Sequence, residues 1–189
     1  MLYRSNDAGL FEIITSGSMF AGKTRTLLTK LEIFQLAGKE VVLLTPKEAH
    51  NRYSVKNFVV AHNGQRMPAI EVESATEILN LKNYADVIGI DEIMLFQEKN
   101  IIDAVEELTK SGHIVVASGL SLLSSGEPFN HMPELLAMAD IITQVYGVCH
   151  ECGNPSVRTW PRFDKNTDIV IGKDYLALCK KCWYKYKFS

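Results

Sequence analysis

Three features are scarce in this chain of 189 residues: long apolar runs, an excess of one charge, and cysteine ahead of position 149. No apolar run approaches the roughly 20 residues that a helix needs to cross a bilayer. Residues 1–9 are polar and lack the apolar core of a secretion signal. These absences predict a cytoplasmic protein without a membrane partner.

Neither sign of charge dominates, because the formal net charge is -2 at pH 7. Residues 1–146 hold 12 Lys or Arg against 18 Asp or Glu, whereas residues 147–189 hold 8 against 4. Proteins that bind nucleic acid usually carry a strong basic patch, so no nucleic-acid partner is expected. The mildly basic C-terminal part suits solvation or a phosphate-bearing ligand better than duplex DNA.

Hydrophobic residues make up 47% of the chain, enough for one core and a small appendage. Apolar strands alternate with amphipathic helices, which predicts an α/β fold with a mostly parallel sheet flanked by helices. The predicted strands are 10–15, 40–45, 69–72, 86–90, 113–117 and 140–145, and the predicted helices are 25–36, 75–81, 99–111 and 133–138. Residues 47–68 are expected to form a long loop or a hairpin arm, and residues 118–130 a loop. The expected domains are 1–146 and 147–189.

The strand at 10–15 and the helix at 25–36 enclose the pattern G-x-x-x-x-G-K-[ST], which is typical of the phosphate-binding loop of P-loop NTPases in this context. Backbone N–H groups of such a loop wrap the β-phosphate at a helix N-terminus. Lys23 would reach the β- and γ-phosphates of ATP, and the Thr24 hydroxyl would ligate Mg²⁺. A glycine-rich turn before a helix is the alternative reading. The loop comprises Gly17, Ser18, Met19, Phe20, Ala21, Gly22, Lys23 and Thr24.

Two acidic residues, Asp91 and Glu92, follow the apolar strand at 86–90. Nucleotide-hydrolysing and kinase folds place their second acidic motif at such a strand end, where an aspartate holds the Mg²⁺ shell. The neighbouring glutamate could accept a proton from an attacking hydroxyl or water. Two solvated carboxylates at a strand end are the alternative reading.

All four cysteines lie in two C-x-x-C pairs within the last 41 residues. Paired C-x-x-C units that converge on one ion form a tetrahedral Cys₄ zinc site, which is closed and structural. Disulfides or free thiols are the alternative. The predicted zinc ligands are Cys149, Cys152, Cys179 and Cys182, and they would organise residues 147–189 into a zinc-ribbon-like lobe whose folding depends on the metal.

Further short motifs follow the phosphate loop in a fixed order. They are Asn51-Arg52-Tyr53, Ala61-His62-Asn63-Gly64, Gly126-Glu127-Pro128-Phe129, Met132-Pro133-Glu134-Leu135-Leu136, Arg158-Thr159, and Ile171-Gly172 with Tyr175. Together with the acidic pair and the cysteines, this order resembles the cellular-type, or type II, thymidine kinases across nearly the whole chain. The motifs are specific for the fold.

The resemblance implies transfer of the γ-phosphoryl group of ATP to the 5′-hydroxyl of thymidine or deoxyuridine, a step of nucleotide salvage. It assigns phosphate and Mg²⁺ binding to the phosphate loop and Asp91, and the role of general base to Glu92. Family members are typically homotetramers, so the implied partners are a nucleoside, nucleoside triphosphates and further copies of the chain. The implied nucleoside pocket comprises Met19, Leu95, Leu120, Phe129, Thr159, Ile171, Gly172 and Tyr175, the last three from a "lasso" loop.

The sequence departs from the family pattern on the nucleoside side. Met94 replaces a glutamine, and Leu95 replaces a pocket aromatic. Residues 121–125 replace two acids, an aromatic and an arginine, and the lasso at 171–175 is about two residues shorter than the family's. Two rival readings stay open, the first because of these departures and the second because of the small basic excess of residues 147–189. One is a non-catalytic or altered-specificity relative that binds nucleotide in a regulatory or assembly role, and the other is a nucleic-acid-binding ATPase that uses the lobe.

Overall fold

The structure, a computed structural model, describes residues 9–52, 57–162 and 175–188. Three predicted motif residues, Tyr53, Ile171 and Gly172, lie outside the described residues. No helix in the described ranges is long and apolar enough to cross a membrane.

Strands and helices alternate along most of the chain. The strands are β1 Leu10–Ser16, β2 Val41–Pro46, β3 Phe58–Val60, β4 Arg66–Pro68, β5 Ile70–Val72, β6 Val87–Ile90, β7 Ile114–Leu120, β8 Ile141–Gln144, β9 Gly147–Val148, β10 Pro155–Ser156, β11 Arg158–Pro161 and β12 Tyr175–Leu178. The helices are α1 Lys23–Leu36, α2 Ala75–Asn80, α3 Asn100–Lys110, α4 Met132–Met138 and α5 Lys180–Phe188.

Six strands form one sheet in the order β5-β2-β6-β7-β1-β8, and every neighbouring pair is parallel. The central strands β6, β7 and the inner part of β1 are buried. Strands covered on both faces read as continuous apolar runs, which is why the sequence predicted them without alternation. The predicted α/β fold with a mostly parallel sheet is confirmed, and the carboxyl ends of β1, β6 and β7 meet at one edge of the sheet.

Each face of the sheet carries its own hydrophobic core. One core joins the sheet to the apolar faces of α2, α3 and α4. The other joins it to α1 and to the hairpin of β3 and β4. Helix α1 lies so close to β6 that a Cβ at Gly89 would stand 2.4 Å from Leu31 Cδ1. The glycine therefore sets the distance between the helix that follows the phosphate loop and the sheet.

Element boundaries differ from the predictions at two places that bear on the site, and a third place decides between two predicted alternatives. Strand β7 runs through Leu120, so residues 118–120 belong to a buried strand and only the residues after them form a loop. Helix α1 begins at Lys23, two residues earlier than the helix formers alone predict. The segment 47–68 contains a 3₁₀ turn and the β3–β4 hairpin, so the hairpin reading of this segment is confirmed.

The C-terminal part packs around its own small core. Strands β9 and β10 form one antiparallel pair, and β11 and β12 form another. Helix α5 follows β12 after one residue and contacts β11. The buried core residues of this lobe are Cys149, Leu176, Leu178, Cys179, Cys182 and Trp183.

Candidate phosphotransfer site

The phosphate loop occupies the short connection between β1 and α1. Gly22 caps the helix in the left-handed conformation, with φ of 81°, a geometry that glycine adopts at little cost. The Thr26 hydroxyl donates a hydrogen bond to the Gly22 carbonyl oxygen at 3.0 Å. Lys23 and Thr24 are buried at the first turn of α1. The loop thus presents a helix N-terminus with its partial positive charge, the arrangement that binds phosphate.

Asp91 connects the phosphate loop to the centre of the sheet. The Thr24 hydroxyl donates to Asp91 Oδ2 at 3.1 Å, and the Ser118 hydroxyl donates to Asp91 Oδ1. Strand β7 lies between β6 and β1, and the three strands are parallel. The side chains of Asp91, Ser118 and Thr24 therefore reach the same edge of the sheet. A hydroxyl and a carboxylate at this spacing form the oxygen donor set that holds Mg²⁺ beside a phosphate loop. These residues therefore fit the metal.

Glu92 sits directly after Asp91 with only 1% of its surface exposed. Its φ of 54° and ψ of 42° place it in the left-handed region, where a residue other than glycine is strained. This backbone turns the chain from β6 into the 3₁₀ turn Ile93–Leu95. The turn therefore holds Glu92 buried at the same strand end as Asp91.

Four of the predicted nucleoside-binding residues belong to, or pack against, one hydrophobic core cluster, and with Leu123 we call them the apolar wall. Leu120 and Phe129 are buried in the core cluster on the α3 side of the sheet, and Met19 and Leu95 pack against that cluster while partly exposed. Leu123, which the predicted pocket omitted, packs there in the same way. The wall lies beside the acidic pair, because Leu95 ends the turn that Glu92 begins.

Thr159 joins the lobe to this wall. Its side-chain oxygen accepts a hydrogen bond from the Met19 backbone N–H at 3.1 Å, and the side chain is buried. Tyr175 is buried at the start of β12, opposite Pro161 on β11. The structure thus brings Thr159 to the phosphate loop, and it places Tyr175 in the same two-stranded hairpin.

A seam of close contacts holds the lobe against the phosphate loop. The Ser18 and Ser156 hydroxyl oxygens lie 2.8 Å apart, and both side chains are buried. A Cβ at Gly17 would stand 2.3 Å from the Val157 carbonyl oxygen, so only glycine fits there. Gly147 is similarly confined, since its Cβ would lie 2.7 Å from Ser156 Oγ. The phosphate loop and the lobe are therefore packed backbone against backbone.

A cleft of about 820 Å³ opens beside the phosphate loop. Exposed His62 lies at its rim, with its ring centroid 5.4 Å from that of Phe20. A volume of this size is typical of small-ligand sites. The lining residues are Phe20, Ala21, Gly22, Lys23, Thr24, Arg25, His62, Asn63, Tyr146, Gly147, Val148, Cys149 and His150.

The four cysteines converge as zinc coordination requires. Their Sγ atoms all lie within 4.8 Å of one another, and the Sγ of Cys152 lies 3.6 Å from that of Cys179 and 3.7 Å from that of Cys182. Zn–S bonds of about 2.3 Å place the sulfurs of a tetrahedron about 3.8 Å apart. The cluster therefore fits a Cys₄ zinc site, and its sulfurs stand too far apart for disulfide bonds.

The four thiols interact strongly with one another. Burial opposes ionisation of Cys149, but backbone N–H groups of Cys179, Glu151 and Cys152 lower its pKa to about 6. The side-chain hydrogen bond with Cys179, together with burial, raises the pKa of Cys182 to about 12. Four thiolates at this separation need a cation to share their charge, which the zinc would supply.

Sequence reasoning missed three residues that the structure brings to the site. Ser118 contacts Asp91, Ser156 contacts Ser18, and Trp183 contacts the loop after β7. Ser118 could have been found by continuing β7 past Ala117 to the edge where β6 ends. The other two contacts join parts of the chain 138 and 59 residues apart, and no local pattern indicates them.

A glycine loop before a helix, a threonine–aspartate pair and a buried adjacent glutamate define a P-loop phosphotransferase. The family model described as thymidine kinase matches residues 10–183. A thymidine kinase of Mycoplasma capricolum subsp. capricolum is 36% identical over 199 aligned positions, covering 98% of this chain and 93% of that protein. The chain belongs to the thymidine kinase family, and it is a kinase.

One similar solved structure is that of a DNA replication initiation factor. It is 13% identical with a TM-score of 0.41, and the match covers 72% of this chain and 40% of that one. A likeness this distant has no bearing on the function.

Proposed function

We propose that the protein transfers the γ-phosphoryl group of ATP to the 5′-hydroxyl of thymidine, and to that of deoxyuridine less readily, in nucleotide salvage. The observation that carries the proposal is the Thr24–Asp91 hydrogen bond, followed along the chain by the buried carboxylate residue Glu92. Thr24 also lines the cleft beside the phosphate loop, and Leu95 of the apolar wall ends the turn that follows Glu92. Donor and acceptor can therefore meet at the carboxyl edge of the sheet.

The donor binds through residues 17–24 in the cleft. Their backbone N–H groups and the N-terminus of α1 hold the phosphates of ATP, and Lys23 balances charge on the β- and γ-phosphates. Thr24 and Asp91 would hold Mg²⁺, which would neutralise charge that develops on the transferred group. The adenosine occupies the outer cleft, where Tyr146 and His150 offer aromatic surface.

The acceptor binds on the other side of the acidic pair. Glu92 takes the proton of the 5′-hydroxyl as that oxygen attacks the γ-phosphorus, and ADP leaves. The apolar wall of Met19, Leu95, Leu120 and Phe129 packs against the pyrimidine ring of the nucleoside. Thr159 and Tyr175 complete the pocket, and the family pattern also assigns Ile171 and Gly172 to nucleoside binding.

A structural zinc ion would stabilise residues 147–189 as a unit distinct from the nucleotide-binding domain 1–146. Its ligands would be Cys149, Cys152, Cys179 and Cys182. The support is the sulfur spacing together with the separate core of the lobe. Zinc in this role adds folding free energy and takes no part in the transfer. The protein acts in the cytoplasm, where nucleosides and ATP are both present.

The protein acts as a homotetramer. Support comes from edge strand β8, which exposes Ile142. Helix α1 adds exposed Ile33 and Leu36. An exposed edge strand with apolar side chains is usually covered by another chain. Light scattering coupled to gel filtration should give four times the mass of 21.2 kDa.

The test is an assay of ADP and nucleoside monophosphate formation with ATP·Mg²⁺ and a panel of thymidine, deoxyuridine and deoxycytidine. Thymidine should give the highest kcat/KM, and Glu92→Gln protein should lose the activity while it still binds ATP. Absence of product with every nucleoside at high enzyme concentration would overturn the proposal.

An altered-specificity or non-catalytic role is the second candidate, and one feature favours it. Met94 stands where the family has a glutamine, and its side chain is buried with Sδ accepting the Leu120 N–H at 3.4 Å. A thioether there cannot make an amide's hydrogen bonds to a pyrimidine. Calorimetry would separate the two candidates, because ATP binding without nucleoside binding supports the second.

A further inference from the structure

The residues after β7 fold back on themselves before α4 begins. The Leu123 N–H donates to the Glu127 carbonyl oxygen at 2.9 Å, and the Phe129 N–H donates to that of Ser121 at 3.1 Å. The Ser121 N–H in turn donates to the Ser16 carbonyl oxygen at 3.0 Å. Residues 121–129, which we call the acceptor hairpin, are therefore anchored at their base to the end of β1. The hairpin carries Phe129 and Leu123 of the apolar wall.

The tip of the acceptor hairpin is held by the C-terminal helix of the zinc lobe. Trp183 Nε1 donates to the Ser124 carbonyl oxygen at 3.2 Å and to the Thr159 carbonyl oxygen at 3.1 Å. A Cβ at Gly126 would stand 2.9 Å from the Trp183 ring. One turn further along α5, Lys187 Nζ donates to the Ser125 carbonyl oxygen at 2.9 Å. The same ammonium group lies 4.6 Å from the Trp183 ring centroid, a cation–π distance.

Trp183 is therefore in contact with both sides of the acceptor pocket. Through Ser124 it holds the hairpin that carries Phe129, and through Thr159 it holds the residue that hydrogen-bonds to Met19. The indole is 3% exposed and follows the zinc ligand Cys182 directly. A buried indole whose single N–H serves two carbonyl groups is strongly constrained in position.

We propose that Trp183 is the positioning residue of the nucleoside pocket, and that it fixes the acceptor hairpin and Thr159 relative to the zinc site. The indole does not touch the reacting atoms. It sets the gap between the acceptor hairpin and Thr159, so its removal acts more on nucleoside affinity than on ATP affinity, which it reaches through Thr159 and Met19. The inference rests on the proposed function for its substrate.

Trp183→Phe removes the N–H and keeps an aromatic ring in place. The KM for thymidine should rise about tenfold, the loss expected for one buried hydrogen bond. The KM for ATP and the zinc content should stay within about twofold of the parent protein, because neither site contacts the indole nitrogen. Hydrogen exchange at residues 121–129 should become faster.

Tyr184→Phe is the matched control, since it removes a hydroxyl from the next residue of the same helix, and Tyr184 is exposed. Its KM values and its exchange at residues 121–129 should equal those of the parent. Lys187→Met provides a second test if Trp183→Phe folds poorly, because it releases the Ser125 carbonyl and the cation–π contact while it leaves the indole N–H in place. It should raise the KM for thymidine about threefold and leave the KM for ATP unchanged.

The outcomes separate this inference from the proposed function. A parent protein that phosphorylates thymidine, with both variants showing an unchanged KM for thymidine or equal rises in both KM values, would overturn the role of Trp183 alone. A parent protein that phosphorylates no nucleoside would overturn the proposed function and, with it, the substrate of this pocket.

Discussion

Two residues other than glycine carry strained backbone at the site. Phe20 in the phosphate loop has φ of 60° and Glu92 has φ of 54°. Each such conformation costs on the order of 1–3 kcal/mol and persists where the surroundings enforce it. In this protein the tight turn out of β1 and the tight turn out of β6 both need it. The strain is therefore located in the phosphate loop and at the turn after β6, the two connections that place the phosphate-binding residues and the general base Glu92 at the same edge of the sheet.

The first prediction concerns Glu92 as the general base of the transfer. Glu92→Gln is isosteric, so the free energy of unfolding should change by no more than about 1 kcal/mol. Since a general base contributes about 10²–10⁴-fold to the rate, kcat should fall by that factor. Steady-state kinetics with ATP and thymidine would measure it. Glu106→Gln, on the exposed face of α3, should leave kcat unchanged. Full activity in the Glu92 variant would exclude the carboxylate as base.

The second prediction concerns Gly17. A methyl group at this position would stand 2.3 Å from the Val157 carbonyl oxygen, so the phosphate loop and the lobe must move apart. A displacement of this kind can cost about 10²-fold in rate. Gly17→Ala should therefore weaken ATP binding by at least about tenfold in calorimetric titration.

Gly38→Ala is the control for Gly17→Ala. Its Cβ would meet nothing within 4 Å, although its φ of 77° is also unfavourable for alanine. This variant should lose about 1 kcal/mol of stability and keep its affinity for ATP. Equal ATP affinity in the two variants would show that the contact with Val157 has no part in nucleotide binding.

At the scale of elements, a buried carboxylate ties three of them together. Glu12 lies in β1 with its side chain fully buried, and Lys30 of α1 approaches its Oε1 at 2.9 Å. The Thr143 hydroxyl of β8 donates to the same oxygen. The contacts link edge strand β8 and helix α1 to the strand that carries the phosphate loop.

Lys30→Met tests how much the ion pair between Lys30 and Glu12 contributes to stability. The buried carboxylate loses its cation, and because Lys30 is partly exposed, the cost should be about 1–3 kcal/mol. Urea denaturation followed by circular dichroism would measure it. The double variant Glu12→Gln/Lys30→Met should recover part of the loss, and a fully additive double variant would mean that the two side chains do not interact.

The order of elements could be predicted from sequence, but the contacts between them could not. Continuous apolar runs indicated the strands of the parallel sheet, and the cysteine spacing indicated the zinc lobe. Ser118 was assigned to a loop because polar residues follow Ala117, whereas the strand continues to the edge where Asp91 lies. Its partner depends on β7 lying next to β6, and strand order is not encoded locally.

The residues of the apolar wall could likewise be predicted from the sequence only in part. The resemblance of motifs named Met19, Leu95, Leu120 and Phe129, and all four belong to one cluster or pack against it. Leu123 also packs against this cluster, although the family pattern has an acid at its position. A leucine that replaces an acid can pack where the acid would be solvated, and only the hairpin geometry shows this.

At the scale of the whole molecule, the zinc site should govern the acceptor side. Cys152→Ala removes an exposed ligand, so metal analysis should fall from one zinc per chain to well below that value. Helix α5 would lose its fixed position, and thymidine binding should weaken by more than ATP binding does. Glu151→Gln, which changes the neighbouring exposed side chain, should retain the metal. Retention of zinc and of thymidine affinity in Cys152→Ala would argue against a Cys₄ site.

The seam between Gly17, Ser18 and the lobe has a consequence for making shorter versions of the protein. A fragment that stops at Tyr146 would retain every phosphate-loop residue, yet it would open the Ser18 hydroxyl and the Gly17 backbone to water. The loop would then be free to sample other conformations, and Phe20, with its left-handed backbone, would have the most to gain from relaxing. The minimal unit that holds a nucleotide firmly should include residues of the lobe as well as the sheet. Exchange of lobes between relatives should succeed only where both partners keep glycine at the position of Gly17.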